Sequence, residues 1–543
     1  MPMAAPPLNI LLINPSSLRF TVPAAPLGLS RLAACLPEEM TVWGMDLNVF
    51  KWIFGLDQAS ILATVENYLA QAVRAGCGPD LIGITVYQET MAEAAAIAGL
   101  GRKYGAVIVA GGIQPTLFPD EMPPAFDFLV RGAGEIPFAA LIELLDHERN
   151  CDDAHHHHHH SLPAGLSYYR PGSGWNHIGP PATAPQQEIL PRRDIFDRFN
   201  LEFRYYSARV LSSSGCPYAC SFCVNSEYAR REWLARPAEA VFAEIGAALR
   251  EPAVTEIAFS DDQFLGFTES DYRRAFRILR SIEAISRTRN LRVNLQVRAD
   301  QFLKAVAAVP ELAGVLQAIN RNFHDESAAV SVKLHGRPVR GLSLDIGIES
   351  FLDERLALFE KGLTARDNLE AVRLARKLGV DLGVYMILFT PEITLEQIAQ
   401  ELAVYFQEYL ATDHFSKAAF LNFFQELIPY RGTAVYRRLR ETGRLVEEEG
   451  YAGFRFQDSR VAAFYVLYLY QLQSGELERL DTSEAMLERI DHLLRLAREA
   501  GGDPELETVL SGVVCELKDP EWIGELYDRI AVGLAIRGIP ASH

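Results

Sequence analysis

Two long stretches of this chain repeat one pattern: a short apolar run, a loop carrying Gly, Asn, Asp or Ser, then a helical periodicity. That pattern constrains the fold more than any other feature. Strands joined through helices pair in parallel, because parallel neighbours need a long crossover. In the first stretch the strands are expected at Asn9–Asn14 (NILLIN), Met40–Gly44, Leu81–Thr85, Ala106–Ala110 and Phe126–Val130. Helices are expected at Pro26–Leu36, Asp57–Ala75 and Thr90–Tyr104, with another after Gly132-Ala133-Gly134-Glu135. Ligands of such open sheets sit beyond the carboxyl ends of the strands. Those ends here carry Asn14, Thr85, Gly111, Gly112 and Gly132.

The second stretch begins at Ala208. Strands are expected at Arg209–Ser213, Glu256–Ser260, Arg292–Val297, Gly341–Ile348, Asp381–Ile387 and Ala418–Leu421. Helical patterns separate them at Pro237–Arg250, Glu269–Ile285, Arg366–Leu378 and Leu395–Tyr409. Six such repeats predict a full or partial barrel of parallel strands. The chain thus divides into 1–145, a connector at 146–205, a barrel at 206–437 and a helical region at 438–543. The connector holds the six-histidine run His155–His160, read as a surface loop, and a small hairpin around Gly165–Ile178.

The 543 residues, 49% apolar and 22% charged, have ordinary globular composition. The formal charge is 52 − 70 = −18. That sign disfavours general binding to phosphate backbones. No run reaches the ~18 apolar residues of a membrane span, and Val461–Tyr470 reads as a buried helix. No basic residue precedes Arg19, so no secretory signal is expected and the cytoplasm is the expected compartment.

Seven cysteines are too few and too clustered for a disulfide scaffold. Cys216, Cys220 and Cys223 stand in the loop Ser213-Ser214-Gly215-Cys216-Pro217-Tyr218-Ala219-Cys220-Ser221-Phe222-Cys223, spaced C-x3-C-x2-C. A closed zinc site wants four ligands, and no fourth stands nearby: the nearest histidines are His177 and His324. Three thiolates on a four-iron cluster leave one iron open, which makes the cluster a catalyst rather than only an electron carrier.

The spacing, Phe222 before the last cysteine, and the place after the first barrel strand resemble the radical SAM superfamily. The resemblance implies a 4Fe-4S cluster on Cys216, Cys220 and Cys223, with S-adenosylmethionine chelated to the open iron and cleaved to a 5′-deoxyadenosyl radical. Phe259–Phe264 resembles the second-strand segment beside the methionine amine, which implies Asp262 as its contact. Arg298 is expected at the methionine carboxylate. Asp345–Ser350 resembles the fourth-strand motif and implies contacts from Glu349 and Ser350. Tyr385-Met386-Ile387, on the fifth strand, are expected near adenine, with Met386 as the contact. Phe359-Glu360-Lys361-Gly362 and Pro429–Thr433 resemble the segments that follow in the family, with Arg431 replacing a proline.

The N-terminal stretch resembles the cobalamin-binding domain that precedes one subclass of these barrels. The resemblance rests on Asn14-Pro15, Pro26–Leu29, Asp46–Asn48, Gly111–Pro115 and Gly132–Glu135. It implies a corrin pocket of Asn14, Thr85, Gly111, Gly112, Gln114, Gly132 and Gly134. Residues 1–146 contain no histidine, so this domain offers cobalt no imidazole. The plainer alternative is an accessory doubly wound domain without cofactor.

Together these features predict an α/β chain: a Rossmann-like cobalamin-binding domain, a partial TIM-type radical SAM barrel, then a helical C-terminal region. The expected activity is methylation of an unactivated carbon of a small molecule, with an external one-electron reductant such as flavodoxin or ferredoxin. Radical cyclisation, oxidation or rearrangement without methyl transfer is one alternative. A non-catalytic iron–sulfur redox protein or sensor is another. Phe454, Phe456, Tyr465 and Tyr468 either line the barrel mouth or fill the core, and helical spacing favours the core.

Overall fold

The computed structural model describes residues 6–17, 24–150, 162–182, 188–199, 203–228, 231–324, 339–410, 422–448, 451–480, 482–501, 503–515, 520–537 and 539. His155–His160 and the strand expected at Ala418–Leu421 lie outside them. The chain forms two compact units: residues 1–215 with 228–261, and residues 216–227 with 262–543.

The first unit is built on a seven-stranded sheet ordered β2-β1-β3-β4-β5-β6-β7. Its strands are β1 (Asn9–Asn14), β2 (Thr41–Asp46), β3 (Leu81–Thr85), β4 (Val107–Gly111), β5 (Phe128–Val130), β6 (Leu166–Arg170) and β7 (Gly174–Ile178). The first five are parallel, and the order reverses between β1 and β3, where such sheets open a crevice. The centre of NILLIN, Ile10–Ile13, is apolar and buried because both faces are covered. Ile10 and Leu12 pack with Leu29, Ala33, Phe138 and Leu141. Leu11 and Ile13 pack with Val65, Leu69, Ile97 and Ala98 on the other side.

The connector hairpin forms where expected, but it also joins this sheet. β6 runs antiparallel to β5, pairing Phe128 with Tyr168 and Val130 with Leu166. The first unit continues with β8 (Ser207–Val210), β9 (Ser213–Ser214), β10 (Leu234–Ala235), the helix Ala238–Ala248 and β11 (Glu256–Phe259). β8 and β11 are parallel, and β9 and β10 antiparallel.

The second unit carries β12 (Arg292–Arg298), β13 (Leu342–Glu349) and β14 (Asp381–Met386), parallel neighbours in that order. Helices Glu269–Ser286, Ala365–Leu378 and Leu395–Tyr405 alternate with them. Each starts at a threonine, Thr268, Thr364 or Thr394, closing a capping box with Asp271, Asp367 or Gln397. Those reciprocal bonds satisfy amide groups the first helical turn leaves open. One face of the strands, with Leu295, Val297 and Leu344, packs on Leu279, Phe302, Leu312 and Leu316.

The C-terminal region is helical, with Ser459–Gln473, Ser483–Gly501, Pro504–Ser511 and Pro520–Ile536, as the periodicity predicts. It also contains a small antiparallel sheet of β15 (Leu445–Glu448), β16 (Tyr451–Arg455) and β17 (Val514–Cys515). Phe454, Phe456, Tyr465 and Tyr468 are all buried, and the last three surround Phe389 at ring distances of 6.2, 4.9 and 6.1 Å. These aromatics are core. Among the described residues no single helix is long and apolar enough to cross a membrane.

Candidate cofactor sites

The cysteine loop belongs to the second unit, which pins it from both sides. The Ser221 amide donates to the Phe359 carbonyl at 2.9 Å, and its hydroxyl donates to the Leu358 carbonyl at 2.9 Å. The Val435 amide donates back to the Ser221 carbonyl at 2.9 Å. Phe222 meets Phe359 edge to face at 5.5 Å. The motif aromatic is therefore a packing anchor, and Phe359 of the expected following motif is its partner. Within the loop the Cys223 amide donates to the Cys220 carbonyl at 3.0 Å.

Cys220 is buried, while Cys216 and Cys223 are half-buried. Burial pushes the Cys216 thiol up and the Cys223 thiol up to about 11. Such thiols stay protonated and inert until a metal displaces the proton. Among the described residues no three His, Cys, Asp or Glu side chains gather to hold one metal ion. A cube of four irons takes each thiolate on a separate iron. The donor set of three thiols thus fits the cluster.

Arg298 ends β12 and is 6% exposed. Its Nε donates to Asp300 at 2.9 Å, its Nη2 to the Lys361 carbonyl at 2.6 Å, and its Nη1 lies 3.9 Å from Cys220 Sγ. The guanidinium lies 3.7 Å over the Tyr218 ring. Glu349 sits at φ 63°, where a non-glycine residue is strained. Its carboxylate accepts from Lys361 Nζ at 2.8 Å. Gly347 makes this possible: a Cβ there would meet Glu349 Oε1 at 2.6 Å.

The other expected S-adenosylmethionine contacts separate. Asp262 accepts from Asn225 of the cysteine loop and stays beside it. Its neighbour Asp261 is fully buried and belongs to the first unit, where it accepts from the Ser212 amide at 2.9 Å and from the Ser212 and Ser213 hydroxyls. Ser350 turns into the core, where its hydroxyl donates to Glu401. Glu401 also accepts from the Phe351 amide and from Arg355, both at 2.8 Å. Met386 shares its strand face with the buried Leu382 and Val384, the opposite face from Tyr385.

That opposite face is open and polar. Tyr385 is 47% exposed, and its hydroxyl donates to Asp345 at 3.3 Å. Asn294 donates to Asp345 at 2.9 Å, and Gln296, two residues on, is exposed. Gly383 leaves room for the Asp345 carboxylate, which a Cβ would strike. Sequence reasoning named Asp345 and Tyr385 only within their motif segments and missed Asn294, Gln296 and the grouping; the signal was polar residues at every second position of apolar strands.

In the first unit the carboxyl ends of β1, β3, β4 and β5 bring Asn14, Thr85, Gly111, Gly112, Gly132 and Gly134 to one edge of the sheet. Asn14 donates to the buried Asp46 at 2.9 Å, which also accepts from Tyr205 at 3.0 Å and from Asn48. Burial pushes the Asp46 carboxyl above its usual range despite those bonds. Ser16, in the loop after β1, donates through its amide to Glu93 at 2.7 Å and through its hydroxyl at 2.9 Å. Gly112 has φ 106° and a Cβ there would meet the Val86 carbonyl at 3.0 Å. Gly132, at φ 82°, bridges to Ala182 of the connector, so its missing side chain serves that close approach. Thr116 links the two glycine turns, donating to the Gly112 carbonyl at 2.6 Å and accepting from the Gly132 amide at 2.8 Å. Gln114 is buried beside them. A strand-end edge of glycines and carboxamides fits a large planar group with a polar tail.

Comparison with known proteins bears on the N-terminal domain and on the fold. Residues 19–142 match the family model of the B12 binding domain. An uncharacterized methyltransferase of Pyrococcus horikoshii is 25% identical over 422 residues, 76% of this chain and 77% of that protein. The cobalamin-dependent S-adenosylmethionine radical enzyme OxsB, solved with aqua-cobalamin and S-adenosylmethionine, matches with a TM-score of 0.65 at 16% identity, covering 98% of this chain and 79% of that one. The radical S-adenosylmethionine methyltransferase TsrM of Kitasatospora setae, solved with tryptophan and an aza analogue of S-adenosylmethionine, matches with a TM-score of 0.52 at 20% identity, covering 74% and 71%. The chain carries a B12-binding domain and has the fold of these radical enzymes.

Proposed function

We propose that this B12-binding-domain radical SAM protein methylates an unactivated carbon of a small polar molecule. When bound, the cluster would supply the electron that splits S-adenosylmethionine into methionine and a 5′-deoxyadenosyl radical, and methylcobalamin would supply the methyl group. The observation that carries the reading is the pinned loop of Cys216, Cys220 and Cys223, three thiols within eight residues, in a chain that carries a B12-binding domain. Burial of Cys220 beside Arg298 keeps water from one side of the loop. The open face of Asn294, Gln296, Asp345 and Tyr385 offers hydrogen-bonding groups to a substrate and favours a polar molecule over a lipid. A one-electron reductant such as flavodoxin or ferredoxin and a cytoplasmic setting belong to the same reading.

The test is anaerobic reconstitution with iron, sulfide and hydroxocobalamin, followed by metal analysis and product assay under reducing conditions. About four irons per chain, cobalt near one per chain, and 5′-deoxyadenosine are expected. S-adenosylhomocysteine should accumulate in step with methylated product as a second S-adenosylmethionine restores the methyl group. Deoxyadenosine without S-adenosylhomocysteine, with a true substrate present, moves the reaction to cyclisation or rearrangement. Iron without any cleavage of S-adenosylmethionine overturns the enzymatic reading.

A further inference from the structure

We infer that Arg298 serves the iron–sulfur cluster as a positioning residue acting through Cys220, rather than as the counter-ion of the S-adenosylmethionine carboxylate. The inference rests on the cluster reading above. Each guanidinium nitrogen already has a neighbour: Asp300 at 2.9 Å, the Lys361 carbonyl at 2.6 Å and Cys220 Sγ at 3.9 Å. Tyr218 covers one face of the group at 3.7 Å. Tyr218 is itself fixed, its hydroxyl accepting from Gln301 at 2.9 Å, and Gln301 Nε2 also donates to Asp300 at 2.8 Å. Reaching a substrate carboxylate would mean leaving a buried ion pair and a stacked ring. Three sequence-distant segments thus converge on one cation: the cysteine loop, the end of β12, and Lys361, whose ammonium holds Glu349.

A positive charge and an N–H aimed at a thiolate sulfur withdraw electron density from it. Hydrogen bonds to the sulfurs and local charge set the reduction potential of such clusters. Arg298 therefore raises the cluster potential and holds the loop that carries Cys220, while the carboxylate of S-adenosylmethionine is read by other groups.

The experiment uses the full chain, anaerobically reconstituted, as wild type, Arg298→Gln and Arg298→Lys. Three quantities are read on each: iron per chain, the midpoint potential by EPR-monitored titration, and the Kd for S-adenosylmethionine by equilibrium dialysis. Arg298→Gln is expected to shift the potential negative and to leave the Kd within about twofold of wild type, since no contact to the ligand is lost. Arg298→Lys keeps the charge without the planar fork and should fall between. Loss of iron from Arg298→Gln with an unchanged melt of the unloaded chain also supports the assignment, and the lysine variant then supplies the potential. A Kd raised about tenfold or more at unchanged potential overturns it, because that is the signature of a lost charged contact to the ligand. Wild-type iron, potential and Kd in both variants overturn it as well. A wild type that binds no iron fails the cluster reading itself, and the two failures are distinct.

Discussion

Removing Glu401 is the sharpest test of how the second unit holds the segment after β13. Arg355 is 2% exposed and Glu401 fully buried. Glu401 accepts from Arg355 at 2.8 Å, from the Phe351 amide at 2.8 Å and from the Ser350 hydroxyl. The other end of Arg355 donates to the Ile387 and Leu388 carbonyls at 2.6 and 2.7 Å. Glu401→Ala leaves a guanidinium in the core with only neutral acceptors. Breaking one side of such a pair costs about 3–5 kcal/mol, because the remaining charge loses its partner without regaining water. At about 2–4 °C per kcal/mol for a unit of this size, the thermal midpoint should fall by about 6–20 °C. The assay is a circular dichroism melt of the full chain, run beside the double variant Arg355→Met with Glu401→Leu. The double variant removes both charges and should recover most of the loss, since matched apolar replacements of a buried pair are near neutral. A single variant melting within about 2 °C of wild type would refute the reasoning, and so would a double variant melting below it.

Two further expectations concern the first unit. Burial holds the Asp46 carboxyl above its usual range, so the folded state takes up a proton more readily than the unfolded one. Asp46 therefore stabilises fully below the unfolded carboxylate pKa near ~4, and that contribution is lost as pH rises through the folded value. Asp46→Asn keeps the bonds to Asn14 and Asn48 and should be more stable than wild type at neutral pH. The advantage should vanish in melts taken below about pH 4; a pH-independent difference would count against this account. Gly132→Ala forces a side chain into φ 82° and against the Ala182 backbone, and should cost about 1–3 kcal/mol by chemical denaturation. Gly99→Ala, in a helix with nothing within 4 Å of the new methyl, is the control and should be neutral or stabilising; equal losses in both would sink the argument.

What the sequence made legible was local. The strands of the first sheet show because both faces are buried, so Ile10–Ile13 and Leu81–Ile84 run without a polar side chain. The cysteine loop shows because three cysteines lie within eight residues, at 216, 220 and 223. What was hidden depends on contacts between distant segments. Lys361 lies far along the chain from Arg298, and no periodicity links them. Ser350 follows Glu349 directly and reads as its companion, yet the register shifts between Gly347 and Glu349, and its hydroxyl goes to Glu401 instead. Asp261 and Asp262 look alike in sequence, but one is sealed under Ser212 and Ser213 while the other holds Asn225.

The antiparallel strand laid along β5 has a practical consequence. β5 is three residues long, and β6 satisfies its outer amides and carbonyls. A fragment cut at residue 145 would remove that neighbour and bare an apolar sheet margin, the kind of template on which chains stick to one another. It would also strip Gly132 of the backbone it was shaped to admit. The smallest soluble piece of the corrin-binding half should therefore run past Ala182, although the matched family segment ends forty residues earlier, at 142.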